Sequence, residues 1–127
     1  MAHEIAFDDT LGIVEIKYAG EISLEEILSA IENIWEMMQL HQTQNVLTDL
    51  LNAELKFDLS RILEINQKIA DLGVSKTTRS AVVVPPEDAT HRNIQVHLYE
   101  FASGTDGWLA QMFYSREQAV DWLLMKK

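Results

Sequence analysis

The 127-residue chain contains no cysteine, and proline and glycine number only two and five. The lack of cysteine excludes disulfides, thiolate metal sites and cysteine nucleophiles, and it is typical of a cytoplasmic protein. Ser/Gly-rich linkers, repeats and low-complexity stretches are also lacking. We therefore expect a single domain over residues 1–127.

Long hydrophobic runs are lacking as well. No uninterrupted apolar run is longer than Ala81 to Val84, whereas a membrane-spanning helix needs ~20 residues. The segment Met1 to Phe7 has neither the basic region nor the apolar region of a signal peptide. We expect no integral membrane segment.

Positive charge is scarce. Ten Lys and Arg residues stand against twenty Asp and Glu residues, which gives a net charge of −10. Because nucleic acids and anionic membranes are bound largely through basic side chains, this composition argues against both as partners. A typical acidic cytoplasmic protein is the simplest interpretation.

The chain opens with a pattern typical of two strands. Ile5 and Phe7 alternate with polar or small residues, residues 8–12 form a turn signal, and Val14, Ile16 and Tyr18 resume the alternation. The short connection predicts an antiparallel hairpin.

A strong helix signal follows. Ser23 and Glu26 have the spacing of a capping box, and Ile22 and Ile27 have that of a hydrophobic staple. The apolar residues then recur every three or four positions, as one helix face requires: Leu24, Ile27, Leu28, Ile31, Ile34, Trp35 and Met38.

Strand and helix signals alternate through the rest of the chain. The predicted strands are Asn45–Leu51, Arg79–Val84 before Pro85-Pro86, and Trp108–Tyr114. The predicted helices run from Asp58 as N-cap to Gly73 as C′ residue, around Ile94, Leu98 and Phe101, and from the capping box Ser115/Gln118. The order β-β-α-β-α-β-α-β-α predicts an α/β fold: a mixed, mostly parallel five-stranded sheet with four helices and the hairpin as its antiparallel edge.

Three of these stretches, residues 45–50, 79–84 and 112–123, together with their spacing, resemble the SpoIIAA-like family. That family is related to STAS domains and, more distantly, to CRAL-TRIO lipid-binding domains. The resemblance covers nearly the whole chain, and none of the three stretches is a catalytic signature. The resemblance implies a sheet with helices packed around it, and a role in protein–protein regulation or in binding a hydrophobic ligand.

One functional feature of the STAS relatives has no match in this sequence. STAS anti-sigma-factor antagonists carry an Asp-Ser pair at the start of the second helix, and that serine is phosphorylated. Here Asp58 matches the aspartate, but Leu59 stands in the serine's place. Ser60 lies one residue further on, which turns it by about 100° around a helix. The resemblance therefore does not imply the phosphorylation switch.

The candidate binding residues are Asp58 and Ser60 at the start of the second helix, and polar side chains that follow predicted strands. Ligands of open α/β sheets favour the carboxyl ends of parallel strands. Asp49 and Asn52 are expected to follow one strand, and another is followed by Glu87, Asp88, Thr90, His91 and Arg92. For Asp49 we favour a structural carboxylate that accepts from nearby backbone N–H groups over a catalytic one.

No pattern predicts a metal or cofactor site. His91 and His97 lack the spacing of three or four residues that a helical metal pair needs, and neither a nucleophile elbow nor a glycine-rich phosphate loop is found. Lys76 and Arg79 form a small basic segment for which salt bridges are expected, with phosphate binding as the alternative.

The segment with Trp35, Met37, Met38 and Leu40 is compatible with binding a partner or a lipid, although a Met and aromatic stripe at helical spacing usually belongs to the core. Met37 points away from the main stripe and is expected to contribute to an exposed apolar patch.

Together these features predict a non-enzymatic regulatory or interaction module of STAS type, with a protein partner and possible homodimerisation. The alternative is a carrier of a small hydrophobic, lipid-like ligand, which predicts an apolar cavity of a few hundred Å³ beneath the second and third helices. A more distant alternative is an enzyme that uses Asp49 and His91.

Overall fold

The computed structural model describes residues 3–57, 61–74, 77–84 and 109–125. Its elements are β1 (His3–Asp8), β2 (Ile13–Ile22), α1 (Leu24–His41), β3 (Asn45–Leu55), α2 (Ile62–Asp71), β4 (Arg79–Val83), β5 (Leu109–Phe113) and α3 (Arg116–Leu123). The helix predicted around Ile94 lies outside the described residues. No helix in the described part is long and apolar enough to cross a membrane.

The five strands form one sheet in the order β1-β2-β3-β4-β5. β1 is antiparallel to β2, with Ile5 opposite Ile16, and the other neighbours are parallel. This confirms the predicted α/β class, the mixed sheet and its antiparallel edge.

β3 is longer than predicted and contains a bulge. The strand continues to Leu55 instead of ending at Leu51. Lys17 of β2 pairs with Asp49, but Ala19 pairs with Asn52, so β3 contributes one residue more than β2 over this interval. Asp49 and Asn52 therefore lie within the strand rather than after it. The prediction was wrong because apolar patterning does not reveal how far a strand pairs with its neighbour.

α1 and α2 cover one face of the sheet. Leu24, Ile27 and Ala30 of α1 pack with Ile65 of α2 in one buried cluster, which also contains Ile16 of β2. Successive side chains of a strand point to opposite faces of the sheet, so apolar residues at alternate positions lie together on this face.

The start of α1 shows half of the predicted capping box. The Ser23 hydroxyl accepts from the Glu26 N–H at 3.2 Å, and Ile22 and Ile27 are buried as a staple requires. The Glu26 carboxylate, however, lies 3.1 Å from Nδ1 of His3. The same glutamate thus connects α1 to the edge strand.

Both long helices end in a left-handed residue. Gln42 has φ 54° after α1, and Gly73 has φ 78° after α2. Gly73 donates to the Ala70 carbonyl at 3.0 Å and Val74 donates to the Ile69 carbonyl at 3.4 Å, the pair of bonds of a Schellman motif. The predicted C′ glycine is confirmed, whereas the predicted N-cap Asp58 lies outside the described residues.

α3 covers the other face of the sheet. Its Ala119 and Leu123 are buried against Leu47, Ala81 and Val83. At its start, the Ser115 hydroxyl accepts from the Gln118 N–H at 3.2 Å, as its capping signal predicts.

Arg79 holds the far end of α3. It is the first residue of β4, and its Nη1 donates to the carbonyls of Trp122 at 3.1 Å and Met125 at 2.8 Å. Among the described residues, helix-end carbonyls thus take the place of the salt bridge expected for Arg79, since they carry partial negative charge and attract a guanidinium. Lys76, for which a salt bridge was also expected, lies outside the described residues.

Candidate functional site

In the structure, the Asp49 side chain forms a hydrogen bond with the backbone. Its Oδ1 accepts from the Leu51 N–H at 2.9 Å, so the carboxylate stabilises the backbone of the β3 bulge. Asn52 is exposed and pairs with Ala19. The other candidates, Asp58, Ser60, His91 and Arg92, lie outside the described residues, so the structure does not show whether they meet Asp49.

An ion pair between Arg116 and Glu15 joins α3 to the hairpin. Arg116 approaches both Glu15 oxygens, with Nη2 at 2.9 Å from Oε1 and Nε at 3.1 Å from Oε2. Hydrogen bonding to Glu15 raises the pKa of Arg116, and the charges of Glu15, Asp8 and Asp49 raise it further. This ion pair therefore fixes the start of α3 against the hairpin.

A second set of ion pairs joins α1 to α2. Arg61 lies 3.1 Å from Glu25 and 2.9 Å from Glu64, and Lys68 lies 3.2 Å from Glu32. A backbone hydrogen bond at Glu25 lowers the pKa of that carboxyl group, and the hydrogen bond to Arg61 lowers it further. These pairs neutralise the outer side of the helical layer.

A groove of about 370 Å³ lies between α1 and the edge strand β1. Ile5 and Met37 are half-buried against the adjoining core cluster, while the Leu40 side chain is 74% exposed. The groove is lined by His3, Ile5, Asn33, Glu36, Met37 and Leu40.

The helix and strand periods place these side chains together. Asn33, Glu36, Met37 and Leu40 are spaced by three or four residues and share one flank of α1. His3 and Ile5 are two apart in β1 and point to the same face of the sheet. Met37 was predicted to lie off the main stripe, and it is half-buried in this groove. Leu40, which was also named as a candidate for partner or lipid binding, lines the groove too. The roles of His3 and Ile5 were missed, although the 33/36/37/40 spacing was a signal in the sequence.

The groove differs from the rest of α1 in its charge. Glu25 and Glu32 form ion pairs with Arg61 and Lys68, and Glu26 lies at hydrogen-bond distance from His3. In the described part of the chain, by contrast, Glu36 at the rim of the groove has no ion pair or side-chain hydrogen bond. Glu4, which is exposed on the opposite face of β1, also has no ion pair there, although Lys17 of β2 is its cross-strand partner. Each face of this edge therefore carries a carboxylate without an ion pair.

β1 also presents backbone groups. Over residues 3–57, 61–74, 77–84 and 109–125, β1 pairs with β2 alone. An edge strand leaves every second residue's N–H and C=O directed outward. Apolar side chains, free backbone groups and uncompensated carboxylates thus converge on one edge, an arrangement suited to recognition.

The described residues offer no cluster of three or more His, Asp or Glu side chains that could hold a metal ion. The groove lies between α1 and β1, not beneath the second and third helices where the carrier hypothesis predicts a cavity. Since the predicted third helix is outside the described residues, that cavity stays a prediction.

The overall fold is SpoIIAA-like. A crystal structure of an uncharacterised DUF3478-family protein from Shewanella loihica PV-4, described as having a SpoIIAA-like fold, matches 96% of this chain and 93% of its own with a TM-score of 0.59. The two sequences are 15% identical, so the similarity shows the fold alone. No protein-family model and no curated protein matches the chain.

Proposed function

We propose that this STAS-like domain is a non-enzymatic interaction module that acts by binding a protein partner. The observation that carries the proposal is the groove beside β1, where Leu40 is 74% exposed next to half-buried Ile5 and Met37. An exposed apolar surface with a polar rim is typical of a protein-binding site. A regulatory role would follow from control of that binding.

The nearby titratable groups support binding over catalysis. Asp49 is held by the Leu51 N–H, and Glu15 by Arg116. A catalytic acid or base needs a proton-transfer position within reach of a substrate, whereas these carboxylates are occupied by bonds that maintain the fold.

A carrier of a small hydrophobic ligand is the second candidate function. The volume of about 370 Å³ falls at the lower end of ligand-pocket sizes, and Ile5, Met37 and Leu40 provide apolar contacts. The rim residues Asn33 and Glu36, however, favour a partner with polar and charged groups of its own.

Native mass spectrometry of freshly purified protein, with and without chemical cross-linking in the producing cells, distinguishes the two. The expected result is a defined complex with a protein, which includes a homodimer, and no retained small molecule. A monomer that carries one equivalent of a hydrophobic compound would support the carrier instead. A monomer without either after cross-linking would contradict both.

A further inference from the structure

We propose that the β1 edge and its groove bind an extended segment of a partner protein as an added strand, in which apolar residues alternate with Lys or Arg. This inference rests on the proposed interaction function and names the surface and the chemistry of the partner. Three independent properties of the edge carry it: its backbone, its apolar groove and its charge.

The backbone of β1 is suited to strand addition. The strand spans His3–Asp8, six residues, a common length for a paired strand. It contains no proline, lysine or bulge, which are three of the means by which proteins prevent pairing at an edge, and its charged residues are Glu4 and Asp8. Main-chain hydrogen bonds to such an edge supply affinity for a partner strand, and side-chain pockets supply specificity.

The groove lies where the side chains of an added strand would point. A further strand would run ~4.8 Å beyond β1, with every second side chain directed toward the α1 side. Ile5, Met37 and Leu40 line the groove on that side. Apolar side chains at alternate positions of the partner would therefore enter it and cover Leu40.

The charges select the remaining positions. Glu4 lies on the opposite face of β1, where the other half of the partner's side chains would point, with Lys17 of β2 as its cross-strand partner. Glu36 lies at the rim of the groove, where a basic residue that flanks the apolar positions would meet it. Neither glutamate forms an ion pair among the described residues, so basic side chains are favoured beside both. Opposite charges across neighbouring strands are each worth roughly 0.2–1 kcal/mol, which corresponds to a factor of up to about five in affinity.

The same charges disfavour a second copy of this chain as the occupant. Pairing two β1 edges would bring together two chains of net charge −10 and would bring the Glu36 rims toward each other. Like charges at such positions are destabilising. A basic segment of a different protein fits this edge better.

The test starts with the full chain and a phage-displayed library of random octapeptides. Selected peptides are synthesised, and their dissociation constants are measured by fluorescence polarisation. We expect apolar residues to alternate with Lys or Arg. We also expect the double variant Glu4→Lys/Glu36→Lys to bind them roughly tenfold more weakly, since two favourable contacts become repulsive.

A matched variant controls for the change in net charge. Glu117 and Asp121 are exposed on α3, which packs over Leu47 of β3 and over Ala81 and Val83 of β4, on the face of the sheet to which Glu4 also points. Glu117→Lys/Asp121→Lys changes the charge by the same amount and should leave the affinity within about twofold. Leu40→Asp should weaken binding, and circular dichroism checks that this exposed position leaves the fold intact.

N-methylation of the peptide tests strand addition itself. Methyl groups on the alternate amides that face β1 should abolish binding, whereas methyl groups on the other set should leave it unchanged. Equal effects of the two sets, equal binding to both charge variants, or no selected peptide at all would overturn the proposal. A homodimer that is disrupted by Glu4→Lys/Glu36→Lys or by Leu40→Asp would overturn it too.

These experiments distinguish failure of the strand-addition proposal from failure of the proposed interaction function. If the cells yield a protein complex that both charge variants and Leu40→Asp retain, the interaction function stands and this edge is not its site. If neither a cellular protein nor a selected peptide binds, the proposed function fails with it.

Discussion

At the scale of single residues, Gln42 occupies a position that favours glycine. It ends α1 at φ 54°, and its N–H and that of Thr43 bond to the carbonyls of Gln39 and Met38 at 3.4 and 3.0 Å. A side chain in the left-handed region costs about 1 kcal/mol. We therefore predict that Gln42→Gly raises the free energy of unfolding by about 0.5–1 kcal/mol, measured by urea denaturation.

Gly73 provides the control for this prediction. It ends α2 at φ 78°, and a Cβ placed there would meet nothing within 4 Å. Any effect of Gly73→Ala thus arises from the backbone conformation, and we expect a loss of about 1 kcal/mol. Should Gln42→Gly destabilise the protein as Gly73→Ala does, the left-handed strain would not be the governing effect.

Two threonines with opposite environments give a second prediction. The Oγ1 of Thr78 is buried and has no hydrogen-bond partner in the described part of the protein. Because an unsatisfied buried hydroxyl costs ~1–3 kcal/mol, Thr78→Val should leave stability unchanged or raise it by about 1 kcal/mol. Thermal and urea unfolding measure this.

Thr43 is the matched comparison. Its hydroxyl donates to the Gly12 carbonyl at 2.6 Å and accepts from the Asn45 N–H at 3.2 Å. Thr43→Val leaves both backbone groups without that partner and should cost about 1–2 kcal/mol. Equal losses in the two variants would show that the Thr78 hydroxyl is satisfied after all.

At the scale of elements, Arg79 fixes α3 to the sheet. Its bonds to the Trp122 and Met125 carbonyls satisfy groups that a helix end leaves open. We predict that Arg79→Met lowers the free energy of unfolding by about 2 kcal/mol. It should also speed hydrogen exchange selectively in α3, as read by mass spectrometry.

Arg61→Met removes the same charge from an exposed position between α1 and α2. Since exposed ion pairs contribute little, this variant should be less destabilised and should leave exchange in α3 unchanged. Faster exchange throughout the Arg79→Met protein, with no preference for α3, would refute a local role for Arg79.

Elements were predictable where the signal is local. Ser23, Ser115 and Gly73 satisfy backbone groups within their own turn, so their spacing in the sequence is sufficient to identify helix ends. The extension of β3 to Leu55 and the role of Arg79 depend on residues far away in the chain. Such pairings follow from tertiary packing, which a hydrophobic pattern does not encode.

At the scale of the whole molecule, the groove illustrates the same limit. His3 and Leu40 meet there only because the hairpin places β1 beside β2 and α1 then packs back across both. The rule that ligands bind at the carboxyl ends of strands pointed to Asp49 instead. That rule identifies one end of the sheet. It does not identify which surfaces remain apolar or carry carboxylates without an ion pair.

The net charge of −10 is also a property of the whole molecule, and it governs how stability responds to salt. Salt weakens the interhelical ion pairs, but these are exposed and contribute little. It also screens repulsion among the excess carboxylates, which opposes the compact state over distances near the Debye length of ~10 Å at 0.1 M.

We therefore expect the screening of repulsion to affect stability more than the weakening of the ion pairs. We predict that raising NaCl from about 0.01 to 0.2 M at pH 7 increases the free energy of unfolding, by an amount on the order of 0.5 kcal/mol. Glu4→Gln/Glu36→Gln removes two carboxylates that form no ion pair among the described residues, so this variant should be more stable at low salt and should gain less from added NaCl. A stability that falls with salt would mean that the ion pairs outweigh the repulsion, because screening lowers stability only by weakening attraction between opposite charges.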